Sequence, residues 1–109
     1  MSAKTNQAEW PDPTKVAADV YNLILENDRV RVFDVRFKPG QKTVMHGHPD
    51  HVIYVLAGFK LSLELPDGVG QVVELAPGQA LWMKAGAHAA QNTGLTEGHA
   101  LVVELKEPI

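Results

Sequence analysis

The chain of 109 residues contains no cysteine. Disulfide staples, zinc thiolates and thiol nucleophiles are therefore excluded, and the composition fits a reducing compartment. There is no Lys/Arg run or basic face, and the formal net charge is only −3, so neither nucleic acid nor an anionic membrane is an expected partner. No apolar stretch approaches the ~20 residues of a membrane span. The polar start, MSAKTNQAEWPDPTK, lacks the apolar segment of a signal peptide. The cytoplasm is the expected location. Also missing are a Ser-His-Asp spacing, a phosphate loop and a Gly-rich dinucleotide fingerprint.

No segment carries helical periodicity over three turns, and what fills the chain instead is strand patterning. Residues 1–11 are polar and expected to be loosely held. Asp12-Pro13 reads as a helix start, Asp as N-cap and Pro at the first helical position, giving one short turn through about Ala18. From Val20 the period is two. Tyr21, Leu23 and Leu25 alternate with polar neighbours, and Asn27-Asp28 is a turn. Arg31, Phe33, Val35 and Phe37 share one face of the next strand. Further strands are expected from about Lys42 into a histidine cluster and over Val52–Ala57, Lys60–Leu65, Gln71–Leu75, Ala80–Lys84, Ala87–Asn92 and His99–Lys106. Pro39-Gly40, Pro66-Asp67-Gly68 and Pro77-Gly78 punctuate them. Many short strands with Gly/Pro turns imply an all-β sandwich or barrel. The expected organisation is an N-terminal arm, 1–19, before one β domain, 20–109. Phe33, Phe37, Leu61 and Leu63 are the expected core, with Met45 and Met83 as core or pocket lining.

The chemistry is concentrated in the stretch PGQKTVMHGHPDHVIYVLAG, residues 39–58, with His46, His48 and His51, and in His88 of KAGAHAAQN. His46 and His48 stand at i and i+2, which on a strand puts both imidazoles on one face, ~6–7 Å apart along the chain. From there both can reach one ion at ~2.0–2.1 Å. Pro49-Asp50 turns the chain so that His51 begins a partner strand beside the pair, and sheet curvature brings His88 in from a third. A divalent metal ion held by His46, His48, His51 and His88 is the expectation. Imidazole suits Fe, Cu, Zn or Ni, and Co is compatible. His99 stands alone near the last strand and is read as structural or superficial.

These spacings resemble the cupin superfamily, whose first motif is G-x5-H-x-H-x3,4-E-x6-G. Gly40, His46, Gly47, His48 and Gly58 match it, and His51 stands where the family carries its Glu, after a linker one residue shorter. The second motif, G-x5-P-x-G-x2-H-x3-N, is met by Gly78, Gly86, His88 and Asn92. Lys84 replaces the Pro, with one residue fewer before the His. The resemblance implies a single cupin β-barrel, a double-stranded β-helix or jelly roll, and a homodimer. The run from Asp12 to Gly58, with the ending LWMKAGAHAAQNTG…ALVVELK, looks like small single-domain cupins named for β-alanine degradation.

The Glu-to-His exchange removes a negative ligand. A site of four neutral imidazoles leaves a divalent ion its full charge and makes it a stronger Lewis acid. Alternatively His51 swings out and leaves a three-His site, with Asp50 accepting a ring N–H. Asn92 is expected to hold a strand end, Tyr54 and Trp82 to face outward as packing or interface, and Arg31 and Arg36 to be solvated. Two functions follow. One is an oxygenase-like, metal-dependent enzyme acting on a small organic acid; the other is a non-enzymatic accessory module that binds a metal or small molecule.

Overall fold

In the computed structural model, which describes residues 10–106, the alternating segments form nine strands preceded by one helical turn. The turn, α1, spans Pro13–Val16, and Asp12 caps it by accepting from the Thr14 backbone N–H at 2.9 Å. The strands are β1 (Tyr21–Glu26), β2 (Val30–Phe37), β3 (Lys42–His48), β4 (His51–Ala57), β5 (Phe59–Glu64), β6 (Gly70–Leu75), β7 (Ala80–Met83), β8 (Gly86–Asn92) and β9 (Gly98–Leu105). Each lies within a residue or two of its expected range.

The strands make two sheets, one ordered β1-β2-β9-β4-β7 and the other β3-β8-β5-β6, with neighbouring strands antiparallel throughout. The inward faces meet in one core. Phe33, Val35 and Phe37 of β2, Val55 of β4, Phe59 and Leu63 of β5 and Val102 of β9 are buried in it, and Leu61 packs against it. Burying a side chain of this size is worth about 1.5–3 kcal/mol. The two sheets come close where Phe59 lies over Gly98: a Cβ there would fall 2.0 Å from the ring.

Two turn glycines that the motifs require have a backbone reason. Gly40 and Gly78 sit at φ +82° and +84°, in the left-handed region that L side chains rarely enter.

Leu23, Ile24 and Leu25 of β1 are exposed; β1 is an edge strand whose pairing with β2 shifts register between Leu23 and Leu25. Residues 1–9 lie outside the described part, but Pro11 is tied down: its carbonyl accepts from the Gly47 N–H at 2.9 Å. The arm thus reaches the strand that carries the histidine pair. No described helix is long and apolar enough to cross a membrane.

Candidate metal centre

The i, i+2 pair needs help to face inward. Along β3, Thr43 is the register partner of buried Ala90, whereas His46 is the partner of His88. Three steps on β3 therefore oppose two on β8. This bulge reverses the alternation, so Thr43 and both later histidines all point into the barrel. Thr43, His46 and His48 are buried accordingly.

His88 arrives on the strand hydrogen-bonded directly to β3, as the partner of His46. One nitrogen from each of His46, His48 and His88 lies within 4.8 Å of the others. The rings pack closely, with centroids 4.8 Å apart for His46–His48, 4.9 Å for His46–His88 and 5.1 Å for His48–His88. His51 comes from elsewhere. Pro49-Asp50 carries the chain across to the other sheet, so β4 pairs with β7 and β9 and not with β3. His51 is buried, 4.8 Å from the His48 ring between centroids, beside the trio and outside that tight group.

The hydrogen bonds decide which nitrogens are free. Nδ1–H of His46 donates to the Val44 carbonyl at 2.8 Å, and Nδ1–H of His51 donates to the Pro49 carbonyl at 2.7 Å. Nδ1 of His48 meets Oε2 of Glu104 at 2.6 Å. A carbonyl can only accept, so the lone pairs of His46 and His51 sit on Nε2. The Nε2 of His46 is buried and has no hydrogen-bond partner. Such an orphan acceptor costs about 1–3 kcal/mol unless something electrophilic meets it. A metal ion is what a buried, inward-facing imidazole lone pair fits.

Burial holds the pKa values of His46 and His51 below the usual imidazole range. It pushes those of His48 and His88 well below, and their neighbouring histidines push them further. Neutral imidazole is the ligating form.

Two participants carried no motif. Glu104 of β9 is the register partner of His51 and is only 1% exposed. Its Oε1 accepts from Arg31 Nε at 3.1 Å and from an Arg31 terminal nitrogen at 2.9 Å, and that nitrogen also reaches Asp12 Oδ2 at 2.9 Å. Burial raises the Glu104 pKa, with Arg31 opposing. The only clue in the sequence was an acid in the alternation of the last strand, on the same face as Ala100 and Val102. Tyr21 is the other: its hydroxyl lies 3.3 Å from His48 Nε2, and burial followed by the Glu104 charge holds it protonated well above the ordinary phenol range.

Arg31 is not solvated but spans Asp12 and Glu104, whereas Arg36 is exposed and pairs with Asp34. Asp50 does not meet a histidine; its carboxylate accepts from the Ala85 N–H at 2.8 Å. Asn92 holds the end of β8, donating to the Phe37 and Thr96 carbonyls and accepting from Gly94. His99 pairs with Asp34 away from the centre. Tyr54 and Trp82 face outward, Trp82 at 55% exposure.

No family model and no curated protein matches the chain. Solved structures do. The chain is 30% identical to a cupin domain from Bordetella pertussis Tohama I, covering 81% of this chain and 93% of that one, with a TM-score of 0.74. It is 25% identical to a Klebsiella pneumoniae protein with a double-stranded β-helix domain, over 79% of this chain and 70% of that one, at a TM-score of 0.63. A cupin superfamily protein from Desulfitobacterium hafniense shares the fold at 21% identity, 81% and 77% coverage and a TM-score of 0.61.

Proposed function

The chain belongs to the cupin superfamily, and from that premise we propose that it is a metal-dependent, oxygenase-like enzyme acting on a small organic acid. His46, His48 and His88 hold the divalent ion, and His51 stands ready as a fourth imidazole. The observation that carries this reading is the partnerless, buried Nε2 of His46 inside a trio of nitrogens within 4.8 Å of one another. A bound ion supplies a Lewis acid and, if redox-active, an electron relay to dioxygen. The chain itself supplies neutral imidazoles with oriented lone pairs and, in Tyr21, a protonated phenol aimed at the same space. The substrate class rests on the resemblance of the Asp12–Gly58 run to cupins of β-alanine degradation, and β-alanine catabolism is the context we assign.

One observation favours the accessory reading, in which the protein binds a metal or small molecule without turnover. The single buried carboxylate among the described residues, Glu104, already accepts from Arg31 and meets His48 Nδ1 at 2.6 Å, so it is not free to take a proton from a substrate. We also propose a homodimer in the cytoplasm. Trp82, Tyr54 and Leu56, exposed on the outer face of the β4–β7 ladder, support pairing through that face.

Metal analysis of the purified protein and of His48→Ala and His88→Ala tests the centre. We expect one ion per chain in the wild type and a large loss in both variants. Equal, substoichiometric metal in all three would remove the metal reading. Oxygen uptake with β-amino and β-oxo acids then separates the two functions: turnover supports the enzyme, and a metal-loaded protein silent across the panel supports the accessory module.

A further inference from the structure

The histidine at position 51 leaves the centre without the carboxylate that the cupin motif places there, yet a carboxylate lies directly across the ladder. Glu104 is the register partner of His51, and it reaches His48 at 2.6 Å through Nδ1. We propose that Glu104 is the positioning residue of the centre: it supplies the missing negative charge from one shell further out and locks His48 with its proton on Nδ1 and its lone pair on Nε2. The proposal rests on the metal reading above for its purpose, but not for its geometry.

Every hydrogen-bonding group around the Glu104 carboxylate fits this assignment. Oε1 takes two N–H groups from Arg31, which can only donate, and Oε2 faces His48 Nδ1. An ionised carboxylate accepts all three bonds. Arg31 is itself anchored to Asp12, the N-cap of α1, while the Pro11 carbonyl binds Gly47 between the two β3 histidines. The arm, the arginine, the glutamate and the ligand histidine thus form one chain of contacts. Its effect is to hold the imidazole plane and to choose its tautomer, as carboxylates behind metal-bound histidines do.

Substitution by glutamine gives the sharpest test because Arg31 makes it asymmetric. A donor-only arginine claims the amide oxygen, which turns the NH2 group toward His48. Nδ1 must then accept, and the ring proton moves to Nε2, where it blocks the ligand lone pair. In metal-free protein, 15N-resolved imidazole spectra should show His48 protonated at Nδ1 in the wild type and at Nε2 in Glu104→Gln. Zn(II) affinity, measured by competition with a chelating dye, should fall on the order of 10–100-fold. The double variant Arg31→Met/Glu104→Gln, whose amide is free to turn its oxygen to His48, should recover the Nδ1–H tautomer and part of the affinity. A merely structural role would make the double variant worse than the single one, and that result would overturn the proposal. So would His48 protonated at Nε2 in the wild type, which decides the matter even if the variants fail to fold. A wild-type protein that binds no Zn(II) would defeat the metal reading, while the metal-free spectra would still judge Glu104.

Discussion

Replacing a buried histidine by leucine usually harms a protein, but His46→Leu should cost the metal-free protein little. His46 is fully buried, its ring packed against those of Tyr21, His48 and His88. Leucine fills similar space and removes the orphan Nε2, a gain of about 1–3 kcal/mol, while losing the bond from Nδ1–H to the Val44 carbonyl, worth about 0.5–1.5 kcal/mol. The variant should therefore lie between about 0.5 kcal/mol less and 2.5 kcal/mol more stable than the parent. Metal reverses the order. At a free ion concentration 100 times the Kd, binding adds about 2.7 kcal/mol to the parent, and a centre that has lost one of three ligands should gain almost none of it. Urea unfolding with a chelator and again with saturating Zn(II) measures both terms. A leucine variant that loses about 3 kcal/mol or more under chelator, the cost of a core histidine that packs for its own sake, and keeps the parent's gain from zinc would refute the reasoning.

Two further outcomes follow from the same structure. The stability of metal-free protein should fall as pH drops below about 6.5, because the unfolded chain takes up protons on histidines that burial keeps neutral in the fold. Each contributes at most about 1.4 kcal/mol per pH unit until its own lowered pKa is reached. Glu104, with its raised pKa, works in the opposite direction at lower pH, so a profile flat from pH 7.5 to 5.5 would contradict the burial argument. Gly98→Ala should destabilise the fold by about 1–3 kcal/mol, since the new Cβ meets the Phe59 ring at 2.0 Å while that ring is stacked on Phe37. Thermal unfolding should show this as a loss of about 4–8 °C per kcal/mol; an unchanged midpoint would mean the sheets part freely at that end.

The strand pattern, the helix cap and the turns are local properties, set by alternation, by the Asp12-Pro13 pair and by glycines that accept positive φ. All of these were legible in the order of the residues. So was the histidine set, because i, i+2 spacing and the two motif glycines describe a site within two short segments. What lay beyond reach depended on which strands become neighbours. The bulge after Thr43, which turns His46 and His48 inward, is a mismatch between two strands and has no existence on one. The passage of His51 to the opposite sheet follows from where β4 pairs. Glu104 lies 56 residues from His48 and Tyr21 lies 27 from it, and with Arg31 they look alone like an acid, an aromatic and a base in ordinary alternation. Only closure of the barrel buries them together, and there the Arg31 guanidinium opposes the rise in the Glu104 pKa that burial brings. Composition and spacing therefore determined which residues could hold an ion; the tertiary structure decided which nitrogen His46 and His51 offer.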